Sequence, residues 1–368
     1  MTFRIKFTKL EENFFEVIGM KRIYSLDVLK LVFAYVIAFF HFGTIISPGP
    51  TITVQIFFII SGFFLAKKFY SRSHADPEKR YNQWNYTIDH VTSIYPHYLF
   101  SLVVIFGYML ARSLLYFVLE PSFQKLNEIA LNCYNQIPDL LLLQSAYTFH
   151  DSWNYPLWQL SALVIAGYFV YGMLCWNEKR CRELIFPAAI LLTLSLMNTG
   201  VDIWSNYGPI YIPLLRAFAP LCIGVLAYYF TITPYYGKLK EKTIPFNLAV
   251  LLSLVTIFAY ADHANIFLVT TVILLWGCYD EASWINKLLN HACFRHCGSY
   301  SYAIYLNHAL ISRFLQAMVF PRLENAGMAL PQRAQDAVYF AVLSVYSVLT
   351  LILVETWKKR RKTACSVK

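Results

Sequence analysis

Residues 22–42 read RIYSLDVLKLVFAYVIAFFHF. From Leu26 onward the stretch is almost wholly apolar, interrupted by Asp27, Lys30 and His41, and continued to residue 47 it is long enough to cross a bilayer as one helix. Residues 1–22 before it are charged and lack an apolar core, so no cleavable signal is expected and the first span inserts as its own uncleaved signal. Runs of the same kind recur down the chain. They predict an all-α, polytopic membrane bundle of about ten spans, at roughly 27–47, 51–69, 93–117, 155–176, 184–200, 209–231, 245–262, 265–280, 299–320 and 334–357. A shorter apolar segment, 137–149 (IPDLLLLQSAYTF), is too short to span and reads as a re-entrant or interfacial helix.

Composition agrees. Of 368 residues 58% are hydrophobic and 14% charged, against about 25% charged in soluble proteins. The net charge of +10 does not call for a nucleic-acid partner, because basic residues gather in the cytosolic loops of helical membrane proteins. With ten spans and both termini cytosolic, the outer loops hold only Lys125, Arg322 and Arg333, and the inner segments and the KKRRK tail hold nearly all the other basic residues. Counting 137–149 as a span would turn every later inner loop outward, against that bias. The chain reads as a single unit: a cytosolic tail over 1–22, the bundle over 23–357 and a basic tail over 358–368. The cysteines are scattered and only Cys133 falls in an outer loop, so no disulfide is expected.

At membrane depth the sequence leaves Lys30, His41, Arg112, Arg216, His308 and Arg313. Such residues mark functional sites by default. Arg112 and Arg313 lie toward span ends, where snorkelling explains them. Lys30 and His41 are eleven residues apart, three turns plus about 20°, so with Asp27 and the small Ala34 they share one face, with a rise of roughly 16 Å between the two. A polar stripe on so apolar a span is expected to face a cavity. His41 is the one comparable base in the outer half and suits general-base work; its alternative is a buried hydrogen bond. Asn307 and His308 could bind or orient a polar ligand, or be a satisfied core pair. Arg216, between Pro213 and Pro220, could hold an oxyanion or an ion pair. His291, Cys293, His296 and Cys297 lack the second distant pair of a zinc site, so no metal is expected. Trp153, Tyr155 and Trp158 offer an outer surface on which a sugar could stack.

Several of these residues stand in motifs. Arg22, Asp27-Val-Leu-Lys30 and His41 resemble the opening of the acyltransferase 3 family, multi-pass enzymes that O-acylate cell-surface polysaccharides and lipids. Phe57-Phe58-Ile-Ile-Ser61-Gly62-Phe63-Phe64-Leu65 is similar to the family's FF-hydrophobic-SGFL signature. Trp158-Gln-Leu-Ser161, the Arg216…Phe218…Gly224 element and Ser299-Tyr300-Ser301-Tyr302-Ala-Ile-Tyr305-Leu-Asn-His308 resemble three further motifs, in the family's order. There are departures. Lys30 stands for an arginine, and the arginines that usually precede Ile-x-Pro are replaced by Asp89-His90-Val-Thr-Ser93-Ile94-Tyr95-Pro96. Lys67, Lys68, Arg72, Lys79, Arg80 and His90 are the available substitutes.

The resemblance implies an acyl-CoA co-substrate, most simply acetyl-CoA, with no permanently bound cofactor. It implies a hydroxyl acceptor on a cell-envelope glycan or glycolipid and a place in the plasma membrane. On that basis His41 is the base, and Arg216 or Ser61 stabilises the oxyanion. Asp27, Lys30, Lys67, Lys68, Asn307 and His308 hold the donor, and Trp153, Tyr155 and Trp158 the acceptor. The competing expectation is a transporter or flippase of a glycan or lipid precursor, which also needs a polar path through a bundle.

Overall fold

In a computed structural model the protein is a helical bundle; the structure describes residues 22–44, 50–75, 81–146, 152–197, 206–207, 210–259 and 264–366. The tail over 1–21 and the basic residues Lys79 and Arg80 lie outside them. Helix α1 (Tyr24–Phe42) ends at Gly43, whose φ of 96° lets its N–H close back on Phe39 and Phe40. Helices α2 (Pro50–Ala75) and α3 (Gln83–Leu119) follow, α3 opened by the Asn82 side chain, which accepts from the Asn85 N–H. The amphipathic α4 (Phe123–Asn135) buries none of its residues.

The segment expected as a re-entrant helix folds otherwise. One helical turn, α5 (Ile137–Leu140), has Pro138 as its second residue and gives way to turns in which Leu142 adopts φ 56°. Ser161 holds this turn, accepting from the Ser145 N–H (2.9 Å) and donating to the Leu142 carbonyl (2.7 Å).

Helix α6 (Trp158–Arg180), a π-helical turn (Cys181–Ile185) and α7 (Phe186–Met197) follow in close succession. Tyr155–Ser195 is 41 residues, about 60 Å if straight, twice a bilayer core. It is not straight. Asn177 is extended, and the Cys181 Sγ comes within 3.1 Å of the Met173 carbonyl, so the helix is kinked there. A two-residue antiparallel ladder joins β1 (Asn206–Tyr207) to β2 (Ile210–Tyr211). Then come α8 (Ile212–Thr231), α9 (Pro234–Glu241), α10 (Thr243–Ala259), α11 (Ala264–Tyr279), α12 (Trp284–Leu289), α13 (Cys297–Phe314), α14 (Phe320–Asn325) and α15 (Gln332–Ser366).

Six helices among the described residues are long and apolar enough to cross a membrane: α1, α2, α3, the 155–195 stretch, α8 and α15. The other expected spans, 184–200, 245–262, 265–280 and 299–320, coincide with α7, α10, α11 and α13, which are shorter, more polar or joined to a neighbour. Helix α15 runs on to Ser366, through the basic run 358–362.

Two glycines set the centre. A Cβ at Gly62 on α2 would lie 2.1 Å from the Leu221 carbonyl oxygen, and one at Gly224 on α8 would lie 2.0 Å from that of Ile59. Only hydrogen fits, so α2 and α8 touch backbone to backbone. The largest apolar core, drawn mainly from α1, α2, α6, α8 and α11, forms around this pair. A second core joins α1 to α13 and α15 through Ala34, Ala38, Phe42, Ile304 and Tyr339.

Candidate active site

Helices α1 and α13 pack along their length, which brings together two histidines 267 positions apart in sequence. The rings of His41 and His308 lie 5.2 Å apart between centroids at 24°. His308 is fully buried. Its Nδ1 is 2.7 Å from the Tyr305 carbonyl, which can only accept, so Nδ1 carries the proton and Nε2 the lone pair. That Nε2 is buried with no hydrogen-bond partner. Buried polar atoms seldom go unmet, so this one is set for a ligand. His41 is half-buried, and its ring also meets that of Tyr155 edge-on, at 5.0 Å between centroids. Its backbone is fixed from α13 and beyond, Ser312 donating to the His41 carbonyl (3.4 Å) and Gln316 to that of Phe42 (2.6 Å).

The polar stripe on α1 runs from Asp27 to His41; its two ends meet α13, at Gly298 and His308, while Lys30 reaches to Phe64 on α2. Ala34 and Ala38 let Ile304 and Ile311 fill the middle. At the far end from His41, Asp27 accepts from Arg22 Nε (2.7 Å) and from Lys30 Nζ (3.2 Å). A Cβ at Gly298, at the start of α13, would lie 2.7 Å from Asp27 Oδ1, so this helix is pressed against the ion group.

Lys30 Nζ also lies over the Phe64 ring at 5.4 Å, and Lys67 Nζ over that of Tyr279 at 5.2 Å. Phe57, Ser61, Phe64 and Lys67, three or four residues apart, keep partial accessibility on an otherwise buried helix, so one face of α2 is open from Phe57 to Lys67. It leads to a cavity of about 670 Å³ lined by Arg22, Lys67, Tyr236, Lys240, Asp280 and Asn290 among others. Lys68 turns away from it. Buried under the Tyr81 and Tyr86 rings, it pairs with Asp89 at 3.1 Å and ties α2 to α3. His90 is stacked on Tyr86 beside that pair.

Other expected groupings separate. Asn307 points a turn's fraction away from His308, its Nδ2 donating to Thr350 on α15. Trp153, Tyr155 and Trp158 do not make one surface. Trp153 is buried against Phe106, Trp158 lies under the Arg216 guanidinium and beside Phe58, and Tyr155 alone meets His41. A 3₁₀ turn at Tyr155–Leu157 divides them. Arg216 is 3% exposed, with Nε and Nη1 lacking hydrogen-bond partners. It reaches the histidines through the segment that carries Trp158 and Tyr155. Ser61 has no hydrogen bond or ring contact to His41 among the described residues. Among them too, no three His, Cys, Asp or Glu side chains gather as a metal set.

One residue set aside in the sequence joins the site. Arg313 lies over the Tyr155 ring at 5.7 Å, with Nη1 3.9 Å from the Met109 sulfur. Its spacing of five from His308 was legible; the direction of its side chain was not.

The motif-bearing helices thus converge on a histidine pair reached along a basic, partly open helix face. The family model for the acyltransferase domain of acyltransferase 3 matches residues 23–355, nearly the whole chain. No curated protein and no solved structure matches. With that match laid over an apolar helical bundle, the chain belongs to the acyltransferase 3 family and is a membrane acyltransferase.

Proposed function

We propose that the protein moves an acyl group, in the first instance acetyl, from acyl-CoA to a hydroxyl of a cell-surface polysaccharide, glycolipid or related precursor. The observation that carries this is the His41–His308 pair, with an unpartnered Nε2 at its buried member. We place the protein in the plasma membrane with ten spans and both termini cytosolic, so that the Arg22 end faces the cytosol. The phosphates of the donor then sit in the cavity beside Arg22, Lys67 and Lys240, where cations suit them. The pantetheine arm lies along Lys67, Phe64, Ser61 and Phe57, past Lys30, and an amide N–H of the arm meets His308 Nε2.

The thioester reaches His41. As the acceptor oxygen attacks the thioester carbonyl, His41 takes the hydroxyl proton; a C–O bond forms. Arg216, held on Trp158, stabilises the oxyanion, with Ser61 as a second donor. When the C–S bond breaks, the thiolate leaves with the proton returned by His41, and coenzyme A is released. Tyr155 holds the acceptor side of His41.

The test uses membranes carrying the wild type or His41→Ala at equal level, fed acetyl-CoA labelled in the acetyl group. Label passing into envelope glycan with release of free coenzyme A in the wild type alone supports acyl transfer with His41 as base. Equal transfer by both removes His41 from the mechanism. Absence of transfer and of thioester cleavage in the wild type across several acceptors favours a transporter.

A further inference from the structure

Beside His41 the site carries more positive charge than its partners answer. Arg313 on α13 lies against Tyr155, which lies against His41. Arg112, one turn beyond Met109 on α3, is within electrostatic reach of Arg313, and its guanidinium rests over the Tyr116 ring at 5.6 Å. Among the described residues neither arginine has a carboxylate partner. Tyr108, one turn before Arg112 on α3, packs on Phe314 beside Arg313 (6.1 Å between rings), close enough to interact with the arginine's charge, and has a buried hydroxyl that makes no hydrogen bond. Two like charges and an unmet hydroxyl at membrane depth are costly together.

Snorkelling does not account for Arg313. A snorkelling arginine extends past the helix end toward water, whereas Arg313 is folded onto Tyr155 and Met109, toward the histidines. The three groups offer donors suited to one oxyanion: two planar, donor-only forks and a phenol that can donate its hydroxyl proton. We propose that Arg112 and Arg313, with the Tyr108 hydroxyl, seat an anionic group of the acceptor, a phosphate or a carboxylate, and so hold its neighbouring hydroxyl at His41. Given the acyl-transfer function proposed above, the acceptor is then an acidic or phosphorylated glycan and not a neutral one.

The test uses the purified full chain in neutral detergent. Thermal unfolding is followed with methyl glucuronide, glucose 6-phosphate, uncharged methyl glucoside and dihexanoyl phosphatidylglycerol, and coenzyme A release from acetyl-CoA is read in the same samples. The anionic sugars should bind more tightly than methyl glucoside. Arg112→Gln and Arg313→Gln should each weaken them on the order of ten- to a hundredfold in Kd, and Arg313→Lys should keep part of the binding. Equal binding of charged and neutral sugars overturns the proposal, as does a charge preference that survives both substitutions. Binding of phosphatidylglycerol alone would make the arginines lipid anchors and overturn it too. If Arg313→Gln does not fold, Arg112→Gln decides. Coenzyme A release without charge preference removes the anion seat and leaves acyl transfer standing. Arginine-dependent anion binding with no thioester cleavage removes the acyl-transfer function, and with it the acceptor role of the seat.

Discussion

The His308 imidazole lies nearly parallel to that of His41, tilted by 24°, and turns a lone pair to no partner in the protein. Two buried-to-half-buried histidines so placed divide the work: the accessible one can exchange a proton, the enclosed one can only hold a hydrogen-bond donor. His41→Ala should lower turnover by roughly 10²–10⁴-fold, the range of general-base catalysis. His308→Ala should mainly raise KM for the donor. Coenzyme A release at saturating and limiting acetyl-CoA separates the two effects, and a pure KM effect for His41→Ala would exchange the roles.

The backbone contact of α2 with α8 predicts a stability cost. Gly62→Ala or Gly224→Ala forces a methyl to within about 2 Å of a carbonyl oxygen, and overpacking of this kind costs about 1–3 kcal/mol. Gly107, with nothing within 4 Å of its Cβ position, is the control and should tolerate alanine. Thermal unfolding in detergent should rank the three accordingly.

Lys30 shares Asp27 with Arg22, so removing it leaves the carboxylate paired. Lys30→Gln should therefore fold normally and raise KM for acetyl-CoA about tenfold, the worth of one charged hydrogen bond. Raising salt should weaken donor binding less in the variant than in the wild type. An unchanged KM would place the donor elsewhere.

Ser161 joins α6 to the turn at Leu142 by two hydrogen bonds. Ser161→Ala leaves a buried N–H and a buried carbonyl without partners, at about 1–3 kcal/mol each. The loop between α3 and α6 should open, and trypsin should cut more quickly after Lys125, half-exposed in its pair with Glu120. Coenzyme A release should fall in parallel, because Tyr155 lies at the end of the same loop.

Helical periodicity made much of this readable. Eleven residues between Lys30 and His41 fix a shared face whatever packs on it, and the position of α1 in the bundle follows from its length and apolarity. What packs on that face is a tertiary fact. Ala34 and Ala38 are small enough to admit either a cavity or a neighbouring helix, and α13 took the place. Adjacency in sequence misled where a helix turns each residue by about 100°: Asn307 follows α13 round to Thr350 while His308 faces His41. Likewise Trp153, Tyr155 and Trp158 are close in the chain, but the tight turn at Pro156 sends them to three different neighbours. Arg313 was visible as a charge, yet nothing local says whether a long side chain folds inward or reaches for water.

Asp27 stands where one carboxylate is shared by two cations, with α13 closed down on it at Gly298. For the phosphate-bearing donor proposed above, entry at this end then exchanges one counter-ion for another instead of meeting bare charge. On the same proposal the departing coenzyme A leaves its cations to a carboxylate that never left, and turnover favours quick exchange at the entrance over tight retention.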